Sequence, residues 1–252
     1  MRWTGPLESA ALLTVLRVPA RAASSTRGVL PWAPLVGLVL GGMATAAAVL
    51  GERWISPPAG AVLAVTVLAL ATRGLHLDGL ADTADGLGPL RGRERALAVM
   101  HQSDVGPFGV IALVLTLLLQ IVGTAALLTS ERGWVALWAA VVVARVAAAR
   151  TGLPGVSIAE GSSLGRSVAG TVSGRWFAGV LLVLAGLLVV GAAGEPRLAL
   201  ELAAAAAAGL LGAELLHRRA RARLGGITGD VMGAMAETAT AATLLVAAAL
   251  LS

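Results

Sequence analysis

The 252-residue chain contains no cysteine, lysine, tyrosine or asparagine. Without thiols it has no disulfide and no thiolate metal site, and its cysteine usage carries no signal about redox compartment. Charge is scarce too. Only 13% of residues are charged while 57% are hydrophobic, and the mean hydropathy is +0.86. Soluble domains carry about 25% charged residues, so composition argues against one. All 19 basic residues are arginine, a pattern of GC-rich codon usage rather than of function. The pI of 11.4 would suit a nucleic-acid partner. The arginines, however, are spread between hydrophobic segments instead of forming one patch, so no nucleic-acid partner is expected. Aspartate is rare as well, with five residues in the chain: Asp78, Asp82, Asp85, Asp104 and Asp230.

What the chain has is apolar sequence in bilayer-crossing lengths, ~20 residues each. Spans are expected near 31–50, 58–75, 107–128, 134–150, 177–193, 198–216 and 231–251, with Pro31, Pro57, Pro107 and Pro196 at or near their starts. Proline is tolerated in a first helical turn. The expected fold is all-α: a polytopic integral membrane bundle of about seven transmembrane helices, one domain over residues 1–252 without internal repeats. Residues 7–18 are expected as an interfacial amphipathic helix. Arg2, the apolar run 10–16 and Ala20-Arg21-Ala22 imitate a signal peptide, but Glu8 and Arg17 leave the run short.

Arginine then orients the bundle. Sixteen arginines, counting Arg145 near the end of the fourth span, fall on one side. Arg53, Arg132 and Arg197 fall on the other. The positive-inside rule makes the first side cytoplasmic and puts Ser252 outside, as expected of a bacterial cytoplasmic (inner) membrane protein. Every aspartate, Glu160 and Glu237 land on the cytoplasmic side, whereas Glu52, Glu131 and Glu195 sit in outer loops. One chemically loaded face suits an active site facing the cytoplasm better than a channel with two vestibules.

Residues 76–86 read His-Leu-Asp-Gly-Leu-Ala-Asp-Thr-Ala-Asp-Gly. The i, i+4, i+7 spacing of Asp78, Asp82 and Asp85 puts them within a roughly 60° arc of one helix. Acids beside lipid-buried helices are costly and call for a cation or a functional pathway. A helix cap or a solvated acidic face is the plain alternative. Oxygen ligands favour a hard cation, and magnesium (Mg2+) commonly bridges one or two carboxylates to substrate phosphates. On a continuous helix His76 points roughly 160° away from Asp78, which suits structure; in an unwound segment it would polarise substrate or act as a base. Asp104, in Met100-His101-Gln102-Ser103-Asp104-Val105-Gly106-Pro107-Phe108-Gly109, either caps the third span or binds metal or a ribose hydroxyl. Gly225, Gly226 and Gly229 suit backbone contact with phosphate. Asp230 and Glu237 share a helical face, and Glu237 inside a span asks for a functional reason. Arg145, embedded in an apolar helix, is a candidate phosphate contact.

Taken together, His76 to Gly86, Arg93-Glu94-Arg95-Ala96, Gly106-Pro107-Phe108-Gly109, Ala144-Arg145, and Gly225-Gly226-Ile227-Thr228-Gly229-Asp230 with Gly233, Ala234 and Glu237 resemble the cobalamin (5′-phosphate) synthase, or adenosylcobinamide-GDP ribazoletransferase, family. The resemblance covers nearly the whole chain in order. Relatives often carry an aspartate at the position of Gln102 and a basic residue at that of Asp104. The resemblance implies a magnesium-dependent membrane enzyme of late vitamin B12 synthesis. Its substrates are adenosylcobinamide-GDP and α-ribazole or its 5′-phosphate, and its products adenosylcobalamin (or its 5′-phosphate) and GMP. On that basis Asp78, Asp82 and Asp85, with Asp230 and Glu237, are the expected metal ligands. One aspartate of the stripe, Asp85 ahead of Asp82, or else His76, is expected to take the hydroxyl proton. Arg145, Thr228, Gly229 and Asp104 are expected to contact substrate.

Three rivals share parts of this pattern. An intramembrane prenyltransferase should show two comparable aspartate-rich motifs in related halves, yet the second site has only Asp230 and Glu237. A CDP-alcohol phosphotransferase should carry an Asp-Gly-x-x-Ala-Arg run, but Asp78-Gly79-Leu80-Ala81 continues into Asp82. A cation transporter should place acids mid-membrane and on both sides.

Overall fold

The computed structural model describes residues 4–21, 25–90 and 92–251, and Arg2, Ala22, Arg91 and Ser252 lie outside them. The described residues form α1 (Gly5–Leu13), α2 (Val29–Trp54), α3 (Pro57–Ala71), α4 (Leu75–Leu87), α5 (Arg93–Met100), α6 (Pro107–Leu128), α7 (Gly133–Ala149), α8 (Ser163–Val168), α9 (Gly174–Gly191), α10 (Pro196–Leu224) and α11 (Gly229–Leu251). No strand occurs among them; one isolated bridge pairs Ile158 with Ile227. An apolar chain in lipid must satisfy its backbone internally, and helices do so within each segment. Six helices (α2, α6, α7 with its 3₁₀ extension to Gly152, α9, α10 and α11) are long and apolar enough to cross a membrane, and the bent pair α3–α4 is a seventh candidate.

α7 is the centre of the bundle. Its span is 89% buried, packed between α2, α10 and α11. Small side chains at Ala139, Ala140, Ala144 and Ala147 let those neighbours come close, as tight helix packing in lipid requires. α6 and α9 lie at the periphery, 22% and 11% buried. Contacts between helix ends sort the connections onto two ends. Ser130 Oγ donates to Leu251 O at 3.1 Å and Arg132 Nη1 to Gly191 O at 3.4 Å at one end. At the other end Ala159 N–H donates to Ile227 O at 3.1 Å, and Val172 N–H to Gly152 O at 3.1 Å.

Three expectations are corrected in detail. The second span stops at Ala71 instead of residue 75, because Arg73 and Gly74 take left-handed conformations (φ 56° and 68°) and turn the chain by 89° into α4. α10 runs to Leu224, well past residue 216. Arginine is a good helix former, and Glu214 binds Arg150, His217 and Arg218 at 2.6, 3.4 and 2.9 Å, which steadies these final turns. The N-terminal helix covers 5–13 rather than 7–18, and it packs on α2. Glu8 is buried; its Oε2 accepts from Gly28 N–H at 2.7 Å and Ser9 Oγ donates to Val29 O at 2.9 Å.

Candidate active site

α4 lies across the first turns of α6 and α11, at the end of the bundle that holds all five aspartates. Two close backbone approaches fix it there. A Cβ on Gly79 would stand 2.6 Å from Asp230 O, and one on Gly233 would stand 3.1 Å from His76 Cα. These glycines therefore let α4 and α11 cross at backbone contact, which sets Asp78 and Asp82 beside Asp230. The expected stripe forms, but its three members meet different surroundings. Asp78 is exposed, Asp82 is half-buried and Asp85 is buried. Partial burial, then the carboxylates of Asp78, Asp230 and Asp85, push the Asp82 carboxyl up to about 6, with His101 opposing. Asp82 thus sits where negative charge is crowded and a cation would relieve it.

Asp85 does something else. Its Oδ2 accepts from Gly106 N–H at 2.7 Å and its Oδ1 from Gly109 N–H at 3.0 Å, so it caps α6 from a distance of more than twenty residues in sequence. A Cβ on Gly106 or Gly109 would collide with that carboxylate. The sequence Gly106-Pro107-Phe108-Gly109 is the other half of this cap: bare amides for the carboxylate, and proline where an N–H is not needed. Both oxygens of Asp85 are thus engaged by the cap, a structural role that the spacing of the stripe did not show.

Other expected site residues divide. Glu237 faces away from the aspartates. Its Oε2 accepts from Gln120 Nε2 at 2.7 Å, and it shares a cavity of about 20 Å³ with Gln120 and Arg145. Its functional reason is therefore a buried polar pairing inside the bundle, not membership of the acidic cluster. Asp104 is exposed and does not line the cavity described below, and α6 takes its cap from Asp85 instead. Thr228 caps α11: its Oγ1 accepts from Val231 N–H at 3.2 Å and donates to Asp230 Oδ2 at 3.1 Å. Among the described residues no three His, Asp or Glu side chains converge as a ready-made metal cage.

Next to the acidic rim lies a cavity of about 280 Å³. Its polar wall includes His76, His101, Arg145, Thr228, Gly229 and Asp230; α1 and α2 supply an apolar wall through Leu12, Leu13, Leu30 and Ala33. His76 and Arg145 are only 5% and 3% exposed, yet His76 Nδ1 and Arg145 Nε have no hydrogen-bond partner. Buried polar atoms without a partner are costly, and a ligand in the cavity would supply one. α4 is continuous at His76, so the unwound alternative does not apply; the imidazole reaches the cavity from the α11-facing side of its helix.

Two contributors were not anticipated. His101, at the end of α5, stands on the rim near Asp82 and Asp230, and its Nδ1 lies 2.6 Å from Leu97 O. The segment 161–164 closes one side, held by the pairing of Ser157 and Ala159 with Ile227. Neither carried a spacing signal; His101 was visible only as a neighbour of the Gly106 motif. Larger grooves of about 660 Å³ and 690 Å³ run along α9, but their walls are mostly apolar, with Trp134 and Trp138 among leucine, valine and alanine, and contain no aspartate or histidine.

Comparison with known proteins identifies the family. No solved structure matches the chain. The adenosylcobinamide-GDP ribazoletransferase of Frankia casuarinae (strain DSM 45818 / CECT 9043 / HFP020203 / CcI3) is 43% identical over 232 residues, 86% of this chain and 83% of the relative. The family model described as cobalamin-5-phosphate synthase matches residues 6–248, and so takes in the α4 stripe, the Asp85 cap, Arg145 and the start of α11 alike. The chain belongs to the cobalamin-5-phosphate synthase family.

Proposed function

We propose that this protein joins adenosylcobinamide-GDP to α-ribazole, or to its 5′-phosphate, and releases GMP. The family and the Frankia relative support the reaction. The observation that carries the site is the glycine-mediated crossing that brings Asp78, Asp82 and Asp230 to one rim, beside a cavity with two unpartnered buried nitrogens.

Magnesium fits this rim in a particular way. The donors are carboxylate oxygens crowded enough to hold the Asp82 carboxyl at about 6, and magnesium readily takes one or two carboxylates while completing its shell with phosphate and water. They do not make an all-protein cage. Asp78, Asp82 and Asp230 are the residues that would hold it. When bound it supplies charge stabilisation for the diphosphate and the departing GMP.

The remaining work falls to the protein. The 5′-hydroxyl oxygen of the ribazole forms a bond to the phosphorus on the cobinamide side, and the bond from that phosphorus to the GMP oxygen breaks. Arg145, fixed in α7, contributes positive charge toward the phosphates from the cavity wall. The hydroxyl proton needs an acceptor, and Asp85 is committed to its cap. His101 is the better placed imidazole. Donation from its Nδ1–H to Leu97 O leaves Nε2 as the acceptor, on the rim where acceptor and diphosphate meet. His76 is buried in the wall and positions substrate instead. The acidic end faces the cytoplasm by its arginine excess, in the inner membrane of a bacterium.

Membranes containing the protein are expected to release GMP from adenosylcobinamide-GDP only with α-ribazole and magnesium both present. Absence of release under those conditions would overturn the assignment.

A further inference from the structure

The two substrates differ greatly in size and polarity, and the cavity between α1, α2, α4, α7 and α11 is selective in both respects. A volume of about 280 Å³ is far too small for a corrin macrocycle, yet it is of nucleoside size. Two nucleosides are available, the guanosine of the donor and the ribazole of the acceptor. Guanine would find Arg145 for its O6 and N7 and Asp230 for its N1–H and amino group, but it has no apolar edge to match Leu12, Leu13, Leu30 and Ala33. Apolar wall is best covered by apolar ligand surface. The base of α-ribazole is a dimethylated benzimidazole, apolar around its edge, with one unshared ring nitrogen that can only accept. The wall offers the complement: leucine and alanine for the methylated edge, and the unpartnered Nδ1 of the buried His76 as a donor for the nitrogen.

Resting on the reaction assigned above, we propose that this cavity is the acceptor-base pocket. In it Ala33 and Leu12 gauge the size of the lower base, and His76 holds its ring nitrogen. The ribose then points to the rim formed by Asp230 and His101, which puts the 5′-hydroxyl beside the acidic cluster; the guanosine binds outside this cavity.

The test is steady-state kinetics on full-length protein in membranes, measured for both substrates. Filling the pocket with Ala33→Val or Leu12→Phe should raise KM for α-ribazole about 10- to 200-fold, the range for a methylene-sized misfit, and leave KM for adenosylcobinamide-GDP within about 2-fold. The riboside of benzimidazole lacking both methyl groups should restore turnover to these variants. In the opposite sense, Ala33→Gly should turn over the riboside of the larger naphthimidazole better than the parent protein does. His76→Leu should raise the acceptor KM with little change in that of the donor. A rise confined to the donor KM, or an unchanged size preference in Ala33→Gly together with an unchanged acceptor KM in Leu12→Phe, overturns the pocket assignment. GMP release by the parent protein in the same assays would leave the reaction itself standing.

Discussion

Asp82 and Asp85 sit three residues apart on one helical stripe and do different things. Asp82 is half-buried among like charges with no hydrogen bond holding it, so a bound cation would relieve it. Asp85 spends both oxygens on the α6 amides. Asp82→Ala is therefore expected to lower GMP release by at least about 100-fold with an unchanged melting temperature. Asp85→Ala should cost about 2 kcal/mol of stability through the lost cap, read as a lower melting temperature in detergent. Equal melting temperatures for the two variants would refute this division. The proton and the metal also compete at Asp82. Its folded value near 6 lies above the ordinary 3.8, so the protonated form gains ground as pH falls from 7 toward 5. Carboxylates must be ionised to bind metal. The magnesium concentration for half-maximal GMP release should accordingly rise over that interval, and a flat requirement would remove Asp82 from the metal site.

At the scale of elements, the decisive contact is the crossing of α4 and α11. Both helices bury apolar side chains, Leu80 and Ala81 on α4 and Val231 and Met235 on α11; what lets their backbones meet is the absence of side chains at Gly79 and Gly233. Gly79→Ala places a methyl against the Asp230 backbone, and overpacking of this kind costs about 1–3 kcal/mol. Because relief requires the helices to separate, turnover should fall more than stability does. Comparing GMP release with the melting temperature of Gly79→Ala checks this, and wild-type turnover would show that the crossing need not be so close.

For the molecule as a whole, the alternation of helix ends places the five aspartates at one end and the short connections near Glu52, Glu131 and Glu195 at the other. A chain without cysteine allows this to be read directly. Single cysteines replacing Gly92 or Arg219 should react with an impermeant maleimide only from the cytoplasmic side of membrane vesicles, and ones replacing Glu52 or Glu131 only from the opposite side. Labelling of Glu52→Cys and Gly92→Cys from the same side would require a different number of crossings.

Composition and periodicity were enough for the class of fold, the approximate spans and the end at which the five aspartates gather. Those properties are sums over many residues, hydropathy along a span and arginine counts across connections, so no tertiary contact is needed to read them. The motifs around Asp78 and Asp230 likewise pointed to the site, because an acid beside an apolar segment needs a reason wherever the segment packs. What the sequence could not separate were the roles within one motif. Asp85 looks like Asp82 until Gly106 and Gly109 are brought to it, and Glu237 looks like a partner of Asp230 until Gln120 takes it. His101 and segment 161–164 enter the site only through folding, without any spacing of their own. The tertiary structure decided these assignments for one physical reason: a carboxylate's role is set by which donors and charges surround it, and here those come from helices distant in the chain.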